Sequence, residues 1–257
     1  MKSRVLMVVP TLGQRNDLLK LTLESLARQT EQPFDIVMIF PLKNKETAAL
    51  AKEYNARMID DPGGLSAAVN AGIAQAQPYH EYIGWIGDDD LVAPRSIKTT
   101  VDALDKNPDA VVAFGYCDYI NDKGDYVFTS RAGRFAPWIM TWGPNLVPMP
   151  GLMLRKDALT KAGTFDEDNK YSMDLDMLLR LRKIGKFVNT GKTLASFRWH
   201  PSSTTVANRK LVLAETEKVK RKYLPSYLKP IAPVWELPVR IATKVAAKRV
   251  NNMAAHK

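Results

Sequence analysis

The order of strand-like and helix-like segments predicts an α/β fold built on a doubly wound, mostly parallel, Rossmann-like sheet. Three observations carry this. An apolar run at Val5–Val9 stops at Pro10. Leucines at 18, 19, 21, 23 and 26 then recur at near-helical spacing. The same strand-then-helix order repeats twice more before another apolar run at Tyr82–Ile86. Strands joined through helices run parallel, because the crossover returns the chain to the same edge of the sheet.

Element by element, Val5–Val9 is a buried strand, and Asn16–Gln29 a helix that Asn16 or Asp17 can cap. Phe34–Phe40 is the second strand, Lys45–Tyr54 the second helix and Ala56–Ile59 the third strand. Asp61-Pro62-Gly63-Gly64 is a turn, followed by a helix over Leu65–Ala76. Tyr82–Ile86 is the fourth strand, broken by Gly87 and three aspartates. Further on, Val111–Tyr116 and Leu152–Leu154 read as strands, and Lys156–Ala162 and Ser172–Lys183 as helices. Residues 131–150 are rich in Trp, Pro, Gly and Met and read as a binding loop. Phe187–Asn189 and Leu194–Trp199 are late strands, and from Val206 the chain is helical, divided by prolines at 225, 230, 233 and 238. The expected division is a body over 1–205, with halves of about 1–115 and 116–205, and a helical extension over 206–257.

The chain has 257 residues, 46% of them hydrophobic and 25% charged, which excludes disordered and collagen-like classes. Its single cysteine, Cys117, excludes an intrachain disulfide and a cysteine-built zinc site. No stretch reaches the roughly 20 apolar residues of a membrane span, and the first apolar run meets Pro10 too early for a signal peptide, so a cytoplasmic location is expected. Net charge is +10, and residues 216–257 hold ten basic residues against Glu217 and Glu236. A nearly neutral body with a basic tail suits an anionic partner, either nucleic acid or the inner face of the plasma membrane, where the protein would sit peripherally. Arg240, Lys244 and Lys248 form one stripe, with Val239, Ala242, Ala246, Val250 and Met253 roughly opposite and Trp235 ahead of them. That is an interfacial pattern, and packing in a homo-oligomer is a further use for it.

The strongest chemical signal is Gly87-Asp88-Asp89-Asp90. Adjacent carboxylates repel, and their oxygens suit Mg²⁺ or Mn²⁺, which bind one or two carboxylates together with substrate phosphates. Ligands of open α/β sheets bind at the carboxyl ends of strands, where these aspartates, Pro10-Thr11 and Phe40-Pro41 fall. Alternation along the chain favours Asp88 with Asp90 as the ligand pair.

The surrounding segments resemble a known family. Val8-Val9-Pro10-Thr11-Leu12, with Leu19, Leu23, Ser25-Leu26 and Gln29-Thr30 after it, is similar to the start of family 2 glycosyltransferases. Gly64-Leu65-Ser66-Ala67-Ala68-Val69-Asn70-Ala71-Gly72, the aspartate run in the Asp-x-Asp place, Gly151–Leu159, Gly163–Glu167 and Asp174–Leu181 follow in that family's order. The resemblance covers 5–203 and implies the GT-A fold, a nucleotide-sugar donor such as a UDP- or dTDP-sugar, Mn²⁺ or Mg²⁺, and inverting transfer. It further implies donor contacts at Pro10, Thr11, Leu12, Gly64 and Asn70, and metal at Asp88, Asp89 and Asp90, with Asp89 or Asp90 in the ligating place. Asp174 becomes the base that deprotonates an acceptor hydroxyl, with Asp176 as its substitute. His200 is a diphosphate or metal contact, and Arg198 a phosphate partner. Trp138, Trp142, Pro144 and Met149-Pro150-Gly151 would form a sugar-stacking acceptor wall. The Gln-x-x-Arg-Trp motif of the processive members is missing, so a single addition to a lipid-linked or cell-surface glycan in polysaccharide biosynthesis is the implied reaction. Two departures stand out: Phe40-Pro41-Leu42-Lys43 lacks the acids expected beside the nucleoside, and the late Glu-Asp pair is Met173-Asp174. The same transfer onto modified DNA, a nucleotidyl transfer, and a non-catalytic membrane- or nucleic-acid-binding module are the competing readings.

Overall fold

The computed structural model describes residues 3–200, 203 and 207–255. Val206, the expected start of the helical region, and Lys257, the last charge of the basic tail, lie outside the described residues. The first half follows the expected alternation: β1 (Val5–Pro10), α1 (Asn16–Ala27), β2 (Phe34–Phe40), α2 (Lys45–Glu53), β3 (Arg57–Asp60), α3 (Leu65–Ile73) and β4 (Tyr82–Trp85). Then come β5 (Leu91–Val92), α4 (Ser96–Asp105), β6 (Ala110–Ile120), β7 (Tyr126–Ser130), α5 (Ala136–Trp142), β8 (Met153–Arg155) and α6 (Lys156–Ala162). The remainder is α7 (Met173–Leu181), β9 (Lys186–Arg198), α8 (Arg209–Tyr223), a 3₁₀ turn at Ser226–Leu228 and α9 (Pro233–Ala255).

The sheet runs β3-β2-β1-β4-β8-β6-β9-β5, with β7 paired to β6. It is parallel from β3 through β4, with Val5 of β1 opposite Phe34 on one side and Tyr82 on the other. β8 enters antiparallel between β4 and β6, while β6 and β9 pair in parallel. β1 is buried along its whole length. Its alternate side chains divide between two cores: Leu6 and Val8 join the layer that includes α3 and α7, and Val5, Met7 and Val9 the layer that includes α1 and α4. Gly72 lets α3 lie close against β1 and β2, because a Cβ there would collide with Val8 and Ile39.

Several elements differ from the expectation, each for a local reason. The two late strands are one strand, β9, in which Gly191 adopts φ +65° and register shifts along the β6 pairing keep the ladder continuous. The loop expected over 131–150 contains about two turns of helix, α5, with a proline in its first turn. β7 and α4 have no counterpart in the expectation. β7 folds back on β6 through the turn at Asn121–Asp125, where the Asn121 side chain accepts from the backbone of Lys123 and Asp125. Neither Asn16 nor Asp17 caps α1: Arg15 holds the N-cap position, and the Asn16 side chain accepts from Thr47 Oγ1.

The C-terminal extension is packed onto the body. Glu215 of α8 accepts from the backbone N–H groups of Lys170, Tyr171 and Ser172 at 3.2, 2.7 and 2.7 Å, and so satisfies the segment entering α7. Arg240 of α9 grips Glu217 of α8 at 2.9 and 2.6 Å, and Arg221 pairs with Glu236. The Trp142 and Trp235 rings meet edge to face at 5.7 Å, and Trp199 Nε1 donates to Asn251 at 2.7 Å. The expected stripe on α9 is therefore split. Arg240 is half-buried and paired with Glu217, Val250 is buried, and Val239 is half-buried. Among the described residues no helix is long and apolar enough to cross a membrane.

Candidate functional site

Two cavities of about 550 and 240 Å³ open at the carboxyl ends of β1 and β4, and a third of about 360 Å³ adjoins the second. The first is bounded by Pro10, Thr11, Leu12, Asp61, Gly64 and Leu65. Gly64 has φ +89°, a conformation that glycine adopts without strain, where the turn feeds the N-terminus of α3. The second holds the aspartate run, Arg15, Trp85, Lys170 and Asp174. It shares Pro10, Arg15, Leu65 and Asp88 with the first. The third lies between the body and α8–α9 and is aromatic, with Tyr119, Trp142, Tyr171, Phe197 and Trp199 in its wall.

The three aspartates occupy different environments. Asp88 accepts from Thr11 Oγ1 at 2.6 Å and from Arg15 Nη2 at 2.5 Å. Burial raises its pKa, and these two donors oppose that rise. Asp89 accepts from the other arm of Arg15 at 2.7 Å, and His200 Nε2 lies 2.9 Å from the same oxygen. Asp90 is buried, with Oδ1 receiving the backbone N–H of Arg198 at 2.9 Å and its own carbonyl receiving Thr22 Oγ1 at 2.8 Å. Burial, and then the charge of Asp89, push the Asp90 carboxyl well above the usual carboxylate range. Arg15 is thus the protein's own counter-charge here. Burial opposes its charged form, but Asp88 and Asp89 outweigh that and raise its pKa.

These residues fit a hard divalent cation at one place. Gly87 leaves open the space that a side chain would fill: a Cβ there would stand 3.1 Å from Asp89 Oδ1 and 3.6 Å from Asp90 Oδ2. Two carboxylate oxygens thus face one small gap on the wall of the second cavity. Among the described residues no group of three or more His, Cys, Asp or Glu side chains makes a ready-made cage. A two-carboxylate seat suits ions that take their remaining ligands from phosphates and water.

Asp174 lies in the first turn of α7 and lines both the second and third cavities. Its Oδ1 accepts the backbone N–H of Leu175 at 2.8 Å. Burial raises its pKa, the backbone bonds lower it, and the charge of Glu215 adds to the rise. Asp176 lines none of the three cavities. It is 1% exposed and bonded to Arg180 Nε at 2.9 Å and Tyr223 OH at 2.6 Å, which ties α7 to α8.

Other candidates fare unequally. Pro10, Thr11, Leu12 and Gly64 line the first cavity, and His200 touches the aspartate run. Asn70 faces away from all three cavities: its amide bonds the backbone N–H and C=O of Phe165 at 2.8 and 2.9 Å and so anchors the loop before α7. Arg198 is 2% exposed, and its guanidinium donates to the carbonyls of Asp89, Asn121 and Asp122, which builds the floor beneath the aspartates and removes it from any phosphate. Trp142, Pro144, Met149 and Pro150 line the aromatic cavity, whereas Trp138 lies outside it, and Gly151 packs on Leu194. Five residues of the site went unseen in the sequence: Arg15, Asp61, Trp85, Lys170 and Glu215. Asp61, just past the end of β3, the strand paired with β2, places an acid on the wall of the first cavity. Among the described residues, Trp85 Nε1 is buried without a hydrogen-bond partner beside the aspartates.

A family profile described as glycosyl transferase family 2 matches residues 7–165, well over half of the chain. An uncharacterised glycosyltransferase of Rickettsia typhi is 24% identical over 212 residues, covering 78% of this chain and 65% of the relative. One of Rickettsia conorii is 24% identical over 210 residues, covering 76% of this chain and 34% of the relative. The chain thus spans about two thirds or less of the length of these relatives. Among solved structures, S. aureus TarS 1-349 superposes with a TM-score of 0.61 at 16% identity, over 91% of this chain and 70% of that one. A mannosyltransferase, PcManGT of Pyrobaculum calidifontis, solved with GDP-Man and Mn²⁺, superposes with a TM-score of 0.65 at 15% identity, over 97% and 76%. Both likenesses concern the fold, which is GT-A. With that sheet, the family profile and the strand-end aspartates in agreement, the chain belongs to glycosyl transferase family 2.

Proposed function

We propose that the protein transfers one sugar, with inversion, from a nucleotide-sugar to a hydroxyl of a lipid-linked or cell-surface glycan. The observation that carries this is the place of Asp174, on the wall common to the carboxylate-lined cavity and the aromatic one. An inverting transfer needs a base on the acceptor side of the anomeric carbon and charge compensation on the leaving side. Asp174 takes the proton of the acceptor hydroxyl as its oxygen attacks the anomeric carbon. The bond from that carbon to the diphosphate breaks on the opposite side.

The nucleoside occupies the first cavity, where Asp61 accepts an N–H from the base edge and Thr11 holds Asp88 in place. A uracil or thymine ring has such an N–H, in keeping with a UDP- or dTDP-sugar. Asp89 and Asp90 would hold Mn²⁺ or Mg²⁺, which would supply Lewis-acid charge at the diphosphate. Lys170, exposed at the mouth of the second cavity, adds positive charge. His200 and Arg15 keep Asp89 in position. The third cavity takes the acceptor sugar against its aromatic wall. The GDP-Man and Mn²⁺ bound to PcManGT and the UDP-GlcNAc bound to TarS support a nucleotide-sugar donor and a divalent ion for this site as well.

A panel of nucleotide-sugars tested by thermal shift, with and without Mn²⁺, is the first check. One donor class should raise the melting temperature only when the ion is present, and should then be slowly hydrolysed to sugar and nucleoside diphosphate. A panel in which no nucleotide-sugar stabilises the protein under either condition would remove the proposal.

A further inference from the structure

We propose that the outer face of α9 seats the protein on an anionic phospholipid surface. Val234, Leu237, Ile241 and Val245 are 76, 56, 54 and 49% exposed. Their spacing of three, four and four residues puts them on one side of the helix. Tyr227, 75% exposed, and Ile231, 51% exposed, extend the row into the preceding turn. A folded soluble surface seldom leaves so many large apolar side chains side by side without a partner.

The charge around the row selects the partner. Lys229, Lys244, Lys248 and Arg249 are exposed beside it. The three acids of the extension are engaged within the protein: Glu215 by the backbone of Lys170–Ser172, and Glu217 and Glu236 by Arg240 and Arg221. Within the extension, the charge exposed next to the apolar row is therefore positive. A second copy of the chain docking by a two-fold axis would set these lysines against one another. A nucleic-acid backbone would use the lysines and leave the apolar row in water. An anionic bilayer takes both, with the apolar row in the headgroup boundary and the cations on the phosphates.

The arrangement has a consequence for the aromatic cavity. Glu236, Val239, Arg240 and Thr243, on the inward side of α9, line that cavity. A bilayer on the outward side would stand about one helix diameter, roughly 10 Å, from it. This surface rests on exposure and charge, and its test needs no donor, metal or transfer activity.

The test is flotation of the full chain, without nucleotide-sugar, with vesicles of phosphatidylcholine alone or mixed with phosphatidylglycerol. The protein should float with the mixed vesicles and hardly at all with phosphatidylcholine alone. Added salt should weaken the association toward the level seen with phosphatidylcholine alone, since screening reduces the charge contribution. Leu237→Asp with Ile241→Asp should lower vesicle partition about tenfold or more. Both positions face solvent, so the melting temperature should stay near that of the unaltered protein. Lys244→Glu with Lys248→Glu should weaken binding and flatten its salt dependence. Equal flotation of the Leu237→Asp, Ile241→Asp variant, or no flotation of the unaltered chain, would overturn the proposal. So would a dimer in light scattering that this variant dissociates, because the face would then be a self-association surface.

Discussion

Asp174→Asn is expected to lower sugar transfer about a hundredfold or more, the scale of losing a general base, while nucleotide-sugar affinity stays near that of the unaltered protein. The substitution keeps the shape of the side chain and its acceptor oxygen for the Leu175 N–H. It removes only the group that takes the proton. Because burial and Glu215 raise the pKa of Asp174, the acidic limb of kcat/KM should lie above the ordinary carboxylate value of about 4. The sign is fixed: the base works ionised, so a raised pKa moves the loss of activity to higher pH. Glu215→Gln should move that limb back down by removing a nearby negative charge. Asp176→Asn is the control. It should cost about 3 kcal/mol of stability by breaking a buried pair with Arg180, while the folded fraction keeps the pH profile. If instead Asp176→Asn abolishes transfer and Asp174→Asn does not, the base has been misassigned.

Chelation of divalent ions should reduce nucleotide-sugar affinity and transfer about a hundredfold, and Asp90→Asn should do the same. The two effects should not add, because both empty one seat. Asp90 Oδ1 is already held by the backbone of Arg198, and a modest change at Oδ2 leaves that bond in place. Calorimetry of donor binding with and without chelator reads the result directly. Unchanged donor affinity in chelator would mean that Arg15, already bridging Asp88 and Asp89, balances the carboxylates without a metal.

The parallel half of the sheet was legible because each strand there is a short apolar run and each helix an apolar stripe, as in Val5–Val9 and Leu19, Leu23 and Leu26. The second half was harder because its elements depend on backbone features that local patterns do not announce. β9 runs through Gly191 by shifting register, and β8 is only three residues long. The site divides in the same way. The aspartate run and Asp174 were visible as charges at element ends. Asn70 and Arg198 were visible as polar residues in family-like segments, but the fold spends both on backbone groups. Arg15 carries no local signal: it reaches residues 88 and 89 only because β1 and β4 are neighbours. Glu215 meets the start of α7 across more than forty residues of sequence, and only the packing of α8 brings it there.

The proposed transfer is a single displacement at the anomeric carbon, with Asp174 on one side and the diphosphate on the other. Proton NMR of the sugar as it first leaves the donor, before mutarotation, tests it most directly. The expected product has the anomeric configuration opposite to that of the donor, and Asp174→Asn yields it far more slowly. A first-formed product that retains the donor's configuration would contradict the claim.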